Sequence, residues 1–396
     1  MSRADAVRAA MERHVTDEIA RMGDDKAASA AHCVVIEGGE VVFDHAVGWR
    51  TLVPGPEPVS PDAIYDLASV TKIVSAATLL MRAVGDGRAS LHTPIHEVLP
   101  QWAEVGGPTD ATLLHLLNHS SGLPAWHKYY EELPFDPPDD DPEAPTWEEL
   151  RAQRDLIRTR AISAPREAAP GERYAYSDLG YITLAWALEE LFSDVGEGLD
   201  EVARALIFEP LGLERARYAS RIKREPRVAG AVATERCARR GIVEGWVHDE
   251  NTYVMGGVSG HAGVFATARE VAAFGQHMLE IDQGARAGIV PRDVLQLCWS
   301  QATRGANGHH LGGWDTPSGA RTSVGRGFDR DATVGHLGFT GTSLWIDRGR
   351  GVVAALLTNR VHPTRENPRI LDLRIDVHEA VVPPARASTR APSWNA

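Results

Sequence analysis

A serine and a lysine three residues apart, Ser69 and Lys72, open the run Asp66-Leu67-Ala68-Ser69-Val70-Thr71-Lys72-Ile73-Val74-Ser75-Ala76-Ala77-Thr78-Leu79-Leu80-Met81. On a helix this spacing puts both side chains on one face, one turn apart. A neutral amine placed there takes the hydroxyl proton and turns the serine into a nucleophile. The choice of lysine is itself informative. The chain has four lysines, Lys26, Lys72, Lys128 and Lys223, against thirty-seven arginines. An arginine is always protonated, whereas a buried lysine can act as a base. Ser220 and Lys223 share the spacing, so context must separate the two pairs. Lys223 sits among Arg221, Arg224 and Arg227, which reads as a solvated basic stretch. Lys72 opens a run apolar nearly all round, which reads as a buried helix, and burial depresses a lysine pKa.

Three further segments suit the same chemistry. Gly171-Glu172-Arg173-Tyr174-Ala175-Tyr176-Ser177-Asp178 places a tyrosine two residues before a carboxylate, after a proline-glycine break. Leu114-His115-Leu116-Leu117-Asn118-His119-Ser120-Ser121-Gly122-Leu123-Pro124 ends a short helix in a turn. Gly335-His336-Leu337-Gly338-Phe339-Thr340-Gly341-Thr342 leads into a hairpin near the C-terminus.

These residues need elements to hold them. The strand-like segments 32–37 and 40–47 flank Gly38-Gly39, a two-residue hairpin turn. A second hairpin, 342–347 and 352–358, is joined by Arg348-Gly349-Arg350-Gly351. Val7, Met11, Val15, Ile19 and Met22 mark one face of an N-terminal amphipathic helix. A last helix starts at Asn367-Pro368, with Ile370, Leu373, Val377 and Val381 on one face. Strand patterns at both ends and helical patterns between them predict a sheet domain from 1–70 and 250–382. A mostly helical domain, 71–249, is inserted, and 383–396 forms a disordered tail. The acidic, proline-rich segment Phe135–Pro145 reads as a surface loop, or as a rim of Asp136–Glu143 that attracts a cationic substrate.

Composition bounds the function. The 396 residues are 43% hydrophobic and 24% charged, as in an ordinary globular chain. A net charge of −13 with no long basic stretch argues against nucleic acid. The run Ile73–Met81 is too short to span a bilayer, and the N-terminus has no apolar signal-peptide region, so no membrane association and a cytoplasmic location are expected. Cys33, Cys237 and Cys298 are scattered and fit reduced thiols. His309-His310 reads as a loop pair without a third ligand, and no HExxH or CxxC occurs, so neither metal nor cofactor is expected. His248, Asp249 and His261 either line the pocket or bridge loops.

Taken in order, the motifs resemble those of the serine β-lactamase/penicillin-binding protein superfamily, in its class C-like branch of esterases, D-aminopeptidases, acyltransferases and β-lactamases. Ser69–Lys72 matches S-x-x-K, Tyr176–Asp178 matches Y-x-N, and His336–Gly338 matches the H-x-G variant of K-T-G. Asn118–Pro124 is similar to that branch's H-x-S-G-L-P turn, and Gly256–Gly263 to a glycine-rich stretch of its hydrolases. The resemblance spans roughly Cys33 to Val382. It implies the serine β-lactamase-like α/β (α+β) fold, an antiparallel sheet flanked by helices plus a mostly helical domain. It also implies an acyl-enzyme on Ser69, with Lys72 and Tyr176 as base and acid, and an oxyanion hole from the backbone N–H groups of Ser69 and Phe339. Asp178, His336 and Gly338 are expected to bind substrate. Asp178 replaces an asparagine and can pair with Lys72 or a cationic substrate group, or act as a cap near the following helix. His336 and Leu337 replace a lysine and a threonine, which weakens carboxylate capture and disfavours β-lactams and cell-wall peptides. The expected activity is a serine hydrolase acting on an ester or amide of a small molecule. The alternative is a transacylase passing an acyl group from an ester to an amine or alcohol in antibiotic biosynthesis.

Overall fold

The computed structural model describes residues 2–133, 145–305 and 308–384. The acidic segment Asp136–Glu143 lies outside the described residues, as does the expected tail from residue 385 onward.

A nine-stranded antiparallel sheet organises the molecule. Its order is Glu57–Pro58, Glu40–Thr51, Ala30–Glu37, Val352–Thr358, Ser343–Asp347, Thr333–Leu337, Trp314–Asp315, Gly308–Leu311 and Ala302–Gly305. The N-terminal hairpin forms as its glycines dictate. Gly38 and Gly39 have φ of 60° and 86°, the left-handed pair that a tight two-residue turn demands. The seam between the chain ends is central, with Val34 opposite Ala355 and Ile36 opposite Val353. Side chains alternate across it. Cys33 and Val35 join Met11, Leu373 and Val377 under the two terminal helices, Arg3–His14 and Ile370–Val381. Val34 and Ile36 face the larger core on the other side, which continues without a break into Trp102, Leu188 and Phe208 of the helical region.

The helix after Ser69 runs through that larger core. Every residue of Lys72–Ala77 is buried, and these six form π-helical turns before the α-helix Thr78–Gly85. Thr78 Oγ1 donates to the Ile73 carbonyl at 2.6 Å, which stabilises the widened turn. Residues 68–85 are long and apolar enough to pass as a membrane span, yet 78% of them are buried inside the protein.

Four local expectations need correction. The N-terminal helix stops at His14 and does not reach Met22, because Val15 turns extended (φ −103°, ψ 145°) and the Thr16 N–H bonds the Ala28 carbonyl at 3.2 Å. The last helix begins at Ile370, since Asn367 accepts from the Arg369 N–H at 3.1 Å and forms a turn there. Ser220 and Arg221 are buried rather than solvated, and Lys223 pairs with Asp200 at 2.7 Å and Glu201 at 2.9 Å. His309 and His310 belong to a strand of the sheet, not a loop.

Candidate active site

Ser69 sits in a tight turn, Ala68–Val70, between a short strand and the buried helix. The turn is strained: Ala68 has φ 45°, a left-handed conformation that costs a residue with a Cβ. Asp66 holds it there. One carboxyl oxygen accepts from the Ala68 N–H at 2.8 Å, the other from the His248 N–H at 2.6 Å. Burial pushes the Asp66 carboxyl up, opposed by those two N–H groups.

Lys72 is fully buried, and its Nζ donates to Ser69 Oγ at 3.0 Å, Asp178 Oδ1 at 2.7 Å and the His261 carbonyl at 3.3 Å. Burial lowers the amine's pKa, and the Asp178 carboxylate opposes that shift. Nζ also lies 4.7 Å from the centre of the Tyr176 ring. Burial drives the Tyr176 phenol well above its ordinary value and the Asp178 charge adds to this, while hydrogen bonding with Ser69 acts the other way. Tyr176 is thus held as a neutral phenol, and Lys72 is the group moved toward a basic role. Asp178 begins the helix Asp178–Leu191, but the capping role belongs to Ser177, whose Oγ accepts from the Gly180 N–H at 3.0 Å. Asp178 pairs with Lys72, and it also lines the cavity that Ser69 faces.

The segment after His336 crosses to the Ser69 turn. Thr340 Oγ1 donates to the Asp66 carbonyl and Thr342 Oγ1 to the Leu67 carbonyl, both at 2.8 Å. Gly338 permits the crossing: a Cβ there would come within 2.0 Å of Thr342 Oγ1 and 2.5 Å of the Leu67 carbonyl. Arg374, buried on the C-terminal helix, donates to the Gly338 carbonyl at 3.0 Å and the Thr342 carbonyl at 2.8 Å. Ser69, Tyr176, Asp178, Gly338 and Phe339 all line one cavity of about 530 Å³. Phe339 is exposed at its mouth, stacked on His248 at 5.7 Å and under the Arg360 guanidinium at 4.2 Å.

His336 does not line this cavity. It is buried behind Tyr176, ring centres 6.1 Å apart, and lines a neighbouring space of about 430 Å³. Its Nδ1 faces the Leu337 carbonyl at 2.8 Å, so the ring is turned by its own backbone. Tyr176 and Leu337 belong to both walls.

Several positioning residues carry only faint sequence signals. His119, in the turn after Leu117, has φ 55° and its Nδ1 accepts from the Ser177 N–H at 2.9 Å, fixing the loop that carries Tyr176. His261 bonds Asp249 at 3.0 Å and Ser259 Oγ at 2.9 Å, which fixes the carbonyl that faces Lys72. Asp249 is held well below the usual carboxylate range, despite burial, by His261 and Thr252. Both His261 and Asp249 line the Ser69 cavity and bridge loops as well.

Comparison with known proteins gives the family and the fold. The family model described as Beta-lactamase matches residues 7–379. The chain is 27% identical over 364 residues to a putative D-alanyl-D-alanine carboxypeptidase of Salmonella agona (strain SL483), covering 85% of this chain and 80% of that protein. The D-amino acid amidase of Ochrobactrum anthropi SV3, solved with L-phenylalanine amide, superposes with a TM-score of 0.69 at 18% identity, over 96% of this chain and 98% of its own. EstCE1, described as a hydrolase with promiscuous acyltransferase activity, superposes with a TM-score of 0.67 at 17% identity, over 95% and 98%. The chain therefore belongs to the Beta-lactamase family, within the serine β-lactamase/penicillin-binding protein superfamily of serine hydrolases.

Proposed function

We propose that this protein is a serine acyl-enzyme hydrolase that cleaves an ester or amide of a small molecule. The reading rests on one observation above all: a fully buried amine 3.0 Å from the Ser69 hydroxyl, beside a neutral phenol. Ser69 Oγ attacks the carbonyl carbon and its proton passes to Lys72 Nζ. The Tyr176 phenol then protonates the departing alcohol or amine and is itself reprotonated from Lys72. The backbone N–H groups of Ser69 and Phe339 hold the oxyanion. Water attacks the acyl-enzyme by the reverse sequence, and acid leaves. Each oxyanion donor is worth about 3–4 kcal/mol in such sites.

The curated relatives carry the name of a D-alanyl-D-alanine carboxypeptidase. The third motif supplies no cation for a terminal carboxylate: His336 is buried, kept neutral and outside the Ser69 cavity, where the cationic side chains are instead Arg360, Arg365 and Arg374. Transfer to an amine or alcohol instead of water is the second reading, favoured by the acyltransferase activity named for EstCE1 on the same fold.

The test is intact-mass analysis after exposure to a fluorophosphonate and to activated esters. One adduct on the Ser69 peptide is expected, with none in Ser69→Ala; an unlabelled wild-type protein would sink the reading. A product panel of short esters, amides, a penicillin and a D-Ala-D-Ala peptide, run with and without added amines, separates hydrolysis from transfer.

A further inference from the structure

The neighbouring space behind Tyr176 has a chemistry of its own. Two unspent acceptors line it. The first is His336, 2% exposed. Its Nδ1 lies against the Leu337 carbonyl and must carry the proton, so Nε2 is a bare lone pair, buried and without a hydrogen-bond partner among the described residues. The second is Asp315, paired across the sheet with Gly335, the residue before His336, and with His310. Among the described residues its carboxyl accepts one hydrogen bond, from the neighbouring Thr316 N–H at 2.8 Å.

No cation among the described residues satisfies Asp315. Arg374 is near enough to be felt, but it donates from Nη2 to the Gly338 and Thr342 carbonyls and forms no ion pair with Asp315. Arg321 reaches the same space and pairs with Asp372. Burial pushes the Asp315 carboxyl up to about 7, the expected state of a carboxylate lacking its counterion. The remaining wall is mixed: Tyr174, Trp345, Leu337 and Leu371 form an aromatic and aliphatic part, and Thr316, Ser318, Thr322 and Ser323 add hydroxyls. Tyr174 does not compete for the acceptors, since its hydroxyl bonds His310 Nδ1 at 2.9 Å.

Two acceptors, a carboxyl that no cation among the described residues bonds, and a wall with an aromatic and aliphatic part select one kind of occupant. We propose that this second cavity is a binding site for a primary ammonium group carried on a small apolar or aromatic body, with Asp315 and His336 Nε2 accepting its N–H bonds. The site is separate from the Ser69 cavity and does not depend on Ser69 being acylated. Charge-assisted N–H bonds to a carboxylate are the stronger class, so most of the selectivity comes from Asp315.

Calorimetric titration of the full chain with benzylamine, and with benzyl alcohol as its neutral counterpart, tests the assignment. Benzylamine is expected to bind at least about tenfold more tightly than the alcohol. Asp315→Asn, nearly isosteric, should weaken benzylamine by about tenfold or more. Leu371→Trp, which fills the cavity from its rim without touching the carboxyl, should remove binding. A thermal melt of each variant reports folding, and either variant alone suffices. Absence of binding to the wild type, or equal binding to the wild type and a folded variant, would overturn the proposal. Because no turnover is read, an unreactive Ser69 leaves the result unaffected.

Discussion

At Lys72 two effects oppose each other. Complete burial disfavours the ammonium, and the Asp178 carboxylate 2.7 Å away favours it. Desolvation prevails, so the amine sits below the ordinary lysine value. Activity that needs the neutral amine rises with pH through that lowered pKa and levels off below the range of a free lysine. Asp178→Asn removes the opposing charge and lowers the lysine pKa further, so the acid limb of kcat/KM is predicted to move to lower pH. A limb that moves up, or stays put, would show that Asp178 does not govern Lys72. Lys72→Ala and Tyr176→Phe each take away a group that the proposed mechanism uses for proton transfer, and each is expected to reduce kcat by on the order of 10²–10⁴ in steady-state assays. Near-normal turnover in Tyr176→Phe would leave the phenol without a chemical role.

Between the Ser69 turn and the third motif, the important contact is a crossing of two backbones with no room between them. Gly338→Ala drives a methyl into Thr342 Oγ1 and the Leu67 carbonyl. It is predicted to destabilise the fold by about 1–3 kcal/mol in a denaturant titration. Displacing the turn should also lower kcat/KM on the order of 10²-fold per folded molecule. Ser69 and Lys72 stand out in the sequence by their spacing and the apolar run around them, whereas Tyr176, Asp178 and that glycine stand out only through the resemblance to the family's motifs. The direction of His336 is not legible, because it depends on a bond between its own ring and the next carbonyl. The strands at 302–305, 308–311 and 314–315 are equally hidden, since that stretch is rich in glycine and polar residues and becomes sheet only through its neighbours. His119 looks like any turn residue until its ring is seen to receive the Ser177 N–H.

Across the whole molecule, the two chain ends are welded together. Residues 30–37 pair with 352–358 in the middle of the sheet, and the terminal helices pack on each other beneath it. His14 and Arg13 reach Asp376 across that contact, at 2.9 and 2.6 Å. This antiparallel sheet from both termini was readable from the two glycine-bearing hairpins, whereas the shared core with the helical region was not, because it rests on long-range packing. Met11 is fully buried in the cluster between helices and sheet, on the face away from the Ser69 helix. Met11→Ala is predicted to cost about 2–5 kcal/mol of stability by denaturant titration while leaving kcat per folded molecule within about twofold.

Tyr176 separates two spaces and belongs to both. A guest on one side that tilts or desolvates the ring changes what the other side offers. Such an influence is a coupling free energy, and it has the same size read from either side. Whatever an occupant behind the ring does to binding in the Ser69 cavity, an occupant of the Ser69 cavity does in return.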